Sequence, residues 1–115
     1  MADPGCLFCR IAERKLPAEI VEETPDIIAF KDVRPQAPSH ILLIPRRHIA
    51  ALNETHDEHI ALLGRIIRVA AQLAERLGLN EGYRLVVNNG PQAGQTVFHL
   101  HFHLLGGRVL GWPPG

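Results

Sequence analysis

The sequence has no excess of either charge and no long apolar run. Lys and Arg total 12, and Asp and Glu also total 12, so the chain lacks the positive charge that attracts duplex nucleic acid or an anionic membrane. No apolar stretch reaches the roughly 18 residues that span a bilayer. The N-terminus also lacks the basic start and apolar core of a signal peptide. We therefore expect a cytoplasmic protein that binds neither nucleic acid nor a membrane.

Cysteine is scarce, since Cys6 and Cys9 are the only two. In a reducing compartment, their Cys-x-x-Cys spacing favours a metal site or a redox pair over a structural disulfide. A thioredoxin-like pair needs a preceding strand, which residues 1–5 cannot supply. Two reduced core cysteines are the remaining alternative. Glycine-rich dinucleotide-binding and P-loop fingerprints are absent, so any nucleotide must be bound in another way.

What is present fits one domain over residues 1–115. Hydrophobic residues make up 46% of the chain, enough for one packed core, although a domain this short is marginal alone and favours a dimer. The hydrophobic spacing and turn residues predict a short helix over 6–15, strands over 18–23, 26–33, 40–45, 82–88 and 97–105, and loops over 34–39 and 89–96. This order predicts an α+β domain with a largely antiparallel sheet and one long helix packed on it.

The long helix is the clearest predicted element. Thr55 and Glu58 have capping-box spacing before it, and Gly78 is a natural stop after it. His56 and His59 lie at its start and are predicted to be solvated. Apolar residues at helical spacing predict the buried face, which comprises Ile60, Leu63, Ile67, Ala70, Leu73, Ala74 and Leu77.

Three of the seven histidines, His99, His101 and His103, alternate with apolar residues. A strand would place all three on one face, with neighbours about 7 Å apart. Two could share a metal ion, but three on one straight strand could not easily approach one ion to the required distance of about 2.0–2.1 Å. Histidine can donate a hydrogen bond, accept a proton or attack as a nucleophile, which suits a phosphoryl group. The alternative is three solvated histidines on an edge strand.

These residues resemble the signature of the histidine triad (HIT) superfamily, in which His99–Leu105 would be the triad segment. The resemblance also covers segments 6–11, 30–32, 35–40, 44–49, 82–84, 87–88 and 94–96. The ending, residues 105–108 and 112–115, is similar to the branch of histidine triad nucleotide-binding proteins that hydrolyse purine nucleoside phosphoramidates.

The resemblance implies a HIT-like fold, with a five-stranded antiparallel sheet, one long helix and a short N-terminal helix. It also implies a homodimer in which the sheet continues across the interface. The long helix and the tail at Trp112 would lie at that interface; the alternative is that Trp112 folds back on its own subunit.

The resemblance further implies catalytic roles. His101, the middle histidine, would be the nucleophile that forms a covalent nucleotidyl-histidine, which water then hydrolyses. His103 would hydrogen-bond the α-phosphate, and His40 would aid protonation of the leaving group. Thr96 stands where relatives often have Ser, and its hydroxyl would donate near the phosphate.

Nucleotide-binding roles follow by the same resemblance. Asp32 would take both ribose hydroxyls, which suits the two acceptor oxygens of a carboxylate. Asn88 and the loop Gly94-Gln95-Thr96 would contact the phosphate, and few polar groups around the base imply weak discrimination between adenine and guanine. The apolar slot for the base would be formed by Leu7, Phe8, Ile11, Phe30 and Val33.

The resemblance also implies further metal ligands beside the cysteine pair. Some relatives use such a pair with two histidines, here His48 and His99, to bind zinc. Two thiolates, of Cys6 and Cys9, and two imidazoles make a closed tetrahedral site, which is structural and not catalytic. We expect structural zinc and no cofactor in the reaction itself.

The sequence therefore predicts a purine nucleoside 5′-phosphoramidate hydrolase that releases a nucleoside monophosphate and an amine. Two other classes stay open. One is a nucleotide-binding regulatory module with little turnover, and the other is a structural metal protein. Among enzymes, dinucleoside polyphosphate hydrolysis is a neighbouring option, which the tail disfavours.

Overall fold

The computed structural model describes residues 3–115 and contains one antiparallel sheet with two α-helices. The helices are α1 (Leu7–Ala12) and α2 (Ile60–Arg76). The strands are β1 (Ile20–Glu23), β2 (Ile27–Lys31), β3 (Ser39–Pro45), β4 (Tyr83–Val87) and β5 (Phe102–Gly106). They lie in the order β1-β2-β3-β5-β4, and every neighbouring pair is antiparallel. The predicted α+β class, the five-stranded sheet and the two helices are confirmed.

The central strand β3 explains why its sequence is almost wholly apolar. It pairs with β2 on one side and β5 on the other, and both of its faces are covered, so every residue after Ser39 is buried. Alternate residues face opposite layers. Ile41 and Leu43 pack with α2, whereas Leu42 and Ile44 pack with α1. The sheet is therefore the middle of three layers.

The long helix is confirmed, but its buried face differs from the predicted stripe. Ala70, Leu73 and Ala74 are buried as predicted, whereas Ile60 is 66% and Ile67 51% exposed. Helical geometry repeats every 3.6 residues, so two adjacent apolar stripes can share residues 70–74. The stripe that faces the sheet begins two residues later and adds Leu62, Ile66 and Val69.

The ends of α2 correct one prediction and confirm another. The predicted capping box at Thr55 is wrong, because the chain first forms 3₁₀ turns at Leu52–Glu54 and Asp57–His59. The backbone N–H of His56 donates to Nδ1 of His59 at 2.8 Å, so His59 is buried and not solvated. At the other end Gly78 has φ +74, the left-handed conformation that glycine adopts without strain.

The triad strand is shorter than predicted. The strand β5 begins only at Phe102, so of the three histidines it contains His103 alone. Before β5, Leu100 N–H donates to the carbonyl of Ile49 at 2.6 Å. His99 and His101 are buried at 0% and 8% exposure, and both rings contact Phe8 of α1.

The tail after β5 lies on the surface. Trp112 is 82% exposed, and Arg84 lies 6.0 Å over its ring. Arg84 Nη2 also donates to the carbonyl of Gly111 at 2.8 Å. Within residues 3–115, no helix is long and apolar enough to cross a membrane.

Candidate active site and metal centre

Sheet register brings His40 and His103 to the same face. Leu42 pairs with His103, and His40 pairs with Leu105. Residues paired across an antiparallel sheet share a face, and so do residues two apart on one strand. The two imidazoles therefore lie diagonally on the α1 side of the sheet. His40 Nε2 is 2.9 Å from His103 Nδ1.

His101 is held beside this pair with one nitrogen committed to the backbone. Its Nδ1–H donates to the carbonyl of His99 at 2.7 Å. A neutral imidazole carries one hydrogen, so Nε2 is bare and keeps its lone pair. Burial lowers the pKa of His101, against opposing effects of the His99 carbonyl and Asp32. The ring is thus neutral at neutral pH and has the unprotonated nitrogen that nucleophilic attack requires.

Two aromatic rings fix the orientation of His101. The Phe8 ring from α1 stands at 88° to it with centroids 5.1 Å apart. The His103 ring lies at the same centroid distance on another side. This packing sets the direction in which Nε2 points.

The backbone also fixes the tautomer of His40. Gln36 N–H donates to His40 Nδ1 at 3.0 Å, so Nδ1 is bare and Nε2 carries the hydrogen. That Nε2–H faces His103 Nδ1 and, at 3.4 Å, Asp32 Oδ2. Burial lowers the pKa of His40, and burial with nearby His101 and His40 lowers that of His103 to about 4. Both rings are therefore neutral at neutral pH.

Asp32, His40 and His103 have donor atoms close enough together for a metal ion. The tautomer of His40 argues against a metal ion here, because a ligating nitrogen must be unprotonated. His40 Nδ1 already accepts from Gln36, so its Nε2 cannot be bare while the ring is neutral. We therefore assign this group as a set of hydrogen bonds.

The second group, Cys6, Cys9, His48 and His99, suits a metal. Its four donor atoms lie within 4.8 Å of one another. His99 Nδ1 is 3.2 Å from Cys6 Sγ and 3.4 Å from Cys9 Sγ, and His48 Nδ1 is 3.3 Å from Cys9 Sγ. Zinc with thiolate and imidazole ligands at about 2.3 and 2.0–2.1 Å would separate sulfur from nitrogen by similar lengths. The predicted metal-binding residues are thus brought together.

Tautomer and burial support that fit. His99 Nε2–H donates to the carbonyl of Pro45 at 2.8 Å, which leaves Nδ1 bare toward the sulfurs. Such a carbonyl partner is the usual way in which a metal-binding histidine is oriented. Burial lowers the pKa of His99 to about 4 and raises that of the Cys9 thiol. A cation would reverse the penalty on the Cys9 thiolate.

The loop before the triad has the expected glycine at Gly94 but a different role for Gln95. Gly90 and Gly94 have φ +92 and +93, which only glycine adopts readily. Gln95 is 3% exposed. Its Oε1 accepts from Gly90 N–H, and its Nε2 donates to the carbonyls of Ala50 and Val97. Gln95 therefore holds the loop together and has no side-chain hydrogen left for a nucleotide.

The other predicted phosphate ligands remain accessible. Gly94 and Thr96 are exposed, and Asn88 is half-buried directly after β4. Asp32, predicted to bind the ribose, is half-buried, and its Oδ1 accepts from Arg34 N–H at 2.8 Å. Its Oδ2 faces His40 at 3.4 Å, so the carboxylate predicted to bind the ribose also lies beside the histidine pair.

The predicted base slot is mostly core. Phe8, Ile11 and Phe30 are each less than a tenth exposed, and Phe8 and Phe30 meet edge to face at 5.5 Å. Leu7 is 47% and Val33 90% exposed. The first three can present at most a ring edge or methyl group to a ligand.

Sequence reasoning assigned no role to three groups that position the site. They are the N–H of Gln36, the carbonyl of Pro45 and the side chain of Arg108, which donates to the Gln36 carbonyl at 3.0 and 3.1 Å. Gln36 and Pro45 act through their backbones, which any residue type has. The only signal was that both lie in segments of family resemblance.

A model of the HIT domain matches residues 13–110. The chain belongs to the HIT family. An uncharacterized HIT-like protein of Synechococcus elongatus is 55% identical over 95% of this chain and 96% of its own length. A HIT family hydrolase from Legionella pneumophila superposes with TM-score 0.95 at 52% identity, over 96% of this chain and all of that one. A histidine triad nucleotide-binding protein from Candida albicans gives TM-score 0.81 at 35% identity, over 95% and 83%.

Proposed function

We propose that this HIT-family chain, acting as one domain over residues 1–115, hydrolyses purine nucleoside 5′-phosphoramidates to a nucleoside monophosphate and an amine. One observation carries the proposal. The bare Nε2 of His101 lies beside His103, whose Nδ1 accepts from His40, so that its own Nε2–H is available to an anion. A nucleophile next to a fixed donor is what attack on a phosphoryl group requires. The hydrolase and nucleotide-binding neighbours support the same class of reaction.

The first step is attack of His101 on the α-phosphorus. The Nε2 lone pair forms an Nε2–P bond, and the P–N bond breaks with its electron pair on the amine, which takes up one proton. His101 keeps its Nδ1–H on the His99 carbonyl, so that carbonyl stabilises the positive charge of the phosphorylated ring.

The second step is hydrolysis of the covalent intermediate. Water forms a P–O bond, the Nε2–P bond breaks, and its electron pair returns to Nε2 of His101. The proton released by water balances the one taken up by the amine. The sum is phosphoramidate plus water giving nucleoside monophosphate plus amine.

Substrate contacts are assigned as follows. Asp32 takes the ribose hydroxyls, and Gly94, Thr96, Asn88 and His103 face the phosphate. Leu7 supplies most of the apolar surface under the base, with the edges of Phe8, Ile11 and Phe30 behind it. The exposure of Gly94, Thr96 and Leu7 supports these roles. Gln95 shapes the loop and does not bind the ligand itself.

We assign structural zinc to Cys6, Cys9, His48 and His99. When bound, zinc supplies a cross-link between α1 and the segment before β5. It takes no part in either chemical step, because four protein ligands leave no position for substrate. The donor distances and the bare Nδ1 of His99 support this assignment.

We also propose a cytoplasmic homodimer. The exposed Ile60 and Ile67 on α2, and the exposed Trp112 in the tail, support it, because large apolar side chains in exposed patches commonly mark interfaces. The edge strand β4 would continue the sheet across the interface.

The decisive test is hydrolysis of adenosine 5′-phosphoramidate by wild type and His101→Ala, with His56→Ala as control because His56 is an exposed histidine outside the site. We expect His101→Ala to lose about a thousandfold or more in kcat and His56→Ala to match wild type. Mass spectrometry of acid-quenched wild type should show a nucleotidyl adduct that His101→Ala lacks. A wild type that binds nucleotide without turnover would contradict hydrolysis and favour a regulatory nucleotide-binding module.

A further inference from the structure

The loop that follows Asp32 is exposed and is held mainly by hydrogen bonds. It connects β2 to β3, and residues 33–36 are all exposed. Asp32 N–H donates to the carbonyl of His40 at 3.0 Å, which closes the base of the loop. Asp32 Oδ1 accepts from the N–H of Arg34 at 2.8 Å. An exposed loop has little packing to set its course, so the bond from Arg34 governs where this carboxylate points.

The tail of the chain clamps the far side of the loop. Arg108 donates from Nε and Nη2 to the carbonyl of Gln36 at 3.1 and 3.0 Å, and the rigid fork of a guanidinium fixes direction as well as distance. Pro35 lies between Arg34 and Gln36. Its ring fixes its own φ and restricts the residue before it, so this segment is stiff. Holding Gln36 therefore also holds the N–H of Arg34.

Gly107 brings the tail close enough for this clamp. It follows β5 directly and has φ +93, a conformation that glycine adopts without strain. A Cβ at this position would lie 2.9 Å from Cβ of Pro38, a contact so short that the loop would have to shift. The tail thus meets the loop at two points, through Gly107 at Pro38 and through Arg108 at Gln36.

We infer that Arg108 is a positioning residue that sets selectivity for ribose over deoxyribose, acting through the loop on the carboxylate of Asp32. The inference rests on the proposed function, in which Asp32 takes both ribose hydroxyls. A carboxylate that is held before the ligand arrives loses less freedom on binding than one that rotates. The clamp therefore strengthens the two hydrogen bonds from the ribose.

Arg108 acts through the loop and does not bind the nucleotide itself. Each of its three side-chain nitrogens already donates to a backbone carbonyl, since Nη1 donates to that of Val109 at 3.1 Å. Its contribution should therefore depend on the hydroxyls that Asp32 takes. It should not depend on the phosphate or the leaving amine.

Two substrates that differ only in the ribose hydroxyls test the inference. They are adenosine 5′-phosphoramidate and its 2′,3′-dideoxy analogue. Both have the same base, phosphate and amine, so a variant that disturbs the phosphate site or the folding of the chain changes both values of kcat/KM alike. Only a change in ribose recognition alters their ratio, which we call the ribose preference.

We expect wild type to have a ribose preference of about tenfold to 100-fold, the worth of hydrogen bonds to a charged group. Arg108→Ala should reduce this preference about threefold to tenfold, the cost of immobilising one side chain, and leave kcat/KM for the dideoxy substrate unchanged. Arg108→Lys keeps the positive charge but lacks the fork, so its preference should lie between the two. A wild-type preference in Arg108→Ala would overturn the inference.

Two further variants test the path of the effect. Asp32→Ala should lose the ribose preference, and adding Arg108→Ala to it should change the preference no further, because the two residues act on one interaction. A further loss in the double variant would show that Arg108 does not act through Asp32. Arg84→Ala is the matched control, since Arg84 holds the same tail at Gly111 by a 2.8 Å bond, and it should keep the wild-type preference.

Product binding distinguishes failure of the inference from failure of the proposed function. Calorimetry gives the Kd of adenosine 5′-monophosphate and of its 2′,3′-dideoxy analogue without turnover. If wild type hydrolyses neither phosphoramidate but binds the two monophosphates with a preference that Arg108→Ala reduces, the proposed hydrolysis fails and the inference holds. If turnover occurs and Arg108→Ala has the wild-type preference, only the inference fails.

Discussion

The chain contains two groups of histidines that are similar in spacing and opposite in chemistry. In one, His48 and His99 meet two thiols; in the other, His40 and His103 meet a carboxylate. The donor atoms in both groups lie within 4.8 Å of one another. A survey of donor distances alone would therefore treat both as metal sites.

The backbone separates them. A carbonyl takes the Nε2 hydrogen of His99 and leaves a bare nitrogen toward the sulfurs. An amide occupies the bare nitrogen of His40 and leaves an N–H toward His103. A histidine thus becomes a ligand or a donor according to which backbone group lies behind it.

The largest expected effect is on zinc binding and stability at the group of Cys6, Cys9, His48 and His99. Wild type should bind one zinc per chain by elemental analysis, and Cys9→Ala should bind none. With free zinc at about 1,000 times its Kd, loss of binding costs about 4 kcal/mol of unfolding free energy, measurable by urea denaturation. His40→Gln is the control and should retain one zinc. Two zinc ions in wild type, or loss of zinc in His40→Gln, would show that the two groups are not distinct.

The second largest expected effect is that of acid on the group of Asp32, His40 and His103, where a lower pH should reduce the free energy of unfolding. The pKa of His103 is lowered to about 4, below its value in the unfolded chain, so the unfolded chain binds more protons as the pH falls. This stability is present above pH 6.5 and is lost as the pH falls toward 4. Since the ring is partly solvated, we expect a loss of about 2 kcal/mol.

The measurement for this prediction is urea denaturation at several pH values with EDTA present. Excess chelator removes any contribution from metal release. The His103→Gln variant should lose about 2 kcal/mol less stability over the same pH range. If the unfolding free energy of His103→Gln has the same pH dependence as that of wild type, groups other than His103 cause the acid sensitivity.

The smallest expected effect comes from a substitution that would let the His40 group bind a metal as the His99 group is proposed to do. Gln36→Pro deletes the N–H that occupies His40 Nδ1, so His40 can carry its hydrogen there and present a bare Nε2. We expect the variant to gain a second, weak zinc site and to be inhibited by zinc at least about tenfold more strongly than wild type, a difference of about 1.4 kcal/mol. Gln36→Ala keeps the N–H and should behave as wild type. If Gln36→Pro folds and shows no second zinc, the backbone is not what keeps metal from this group.

Family resemblance and local patterns predicted the fold class and the residues that meet at each site. The four residues predicted to bind a metal converge as expected, because the motif Cys-x-x-Cys is local and the two histidines were given by resemblance. The alternation of His99, His101 and His103 predicted one long strand, yet β5 begins at Phe102 because Leu100 bonds to Ile49. Alternation cannot reveal a hydrogen bond to a segment far along the chain.

The tautomers lay beyond prediction for the same reason. His99 and Pro45 are 54 residues apart, and the acceptor is a backbone carbonyl, which every residue type has, so the sequence does not signal the contact. Gln95 was predicted to bind nucleotide from its place in the loop, but its three side-chain hydrogen bonds stay within the protein. His59 is buried because its ring caps a 3₁₀ turn, a turn that helical periodicity does not signal.

His99 holds two neighbours at once, since its Nδ1 lies 3.2 Å from Cys6 Sγ while its carbonyl accepts from Nδ1–H of His101, the proposed nucleophile. The bond to His101 needs only a backbone carbonyl, which every amino acid has. Evolution or protein design could therefore replace all four proposed metal-binding side chains with close-packed apolar ones. The reaction would survive as long as the main chain kept its course. A structural metal of the kind proposed could then be lost in evolution, whereas the path of residues 99–101 could not change.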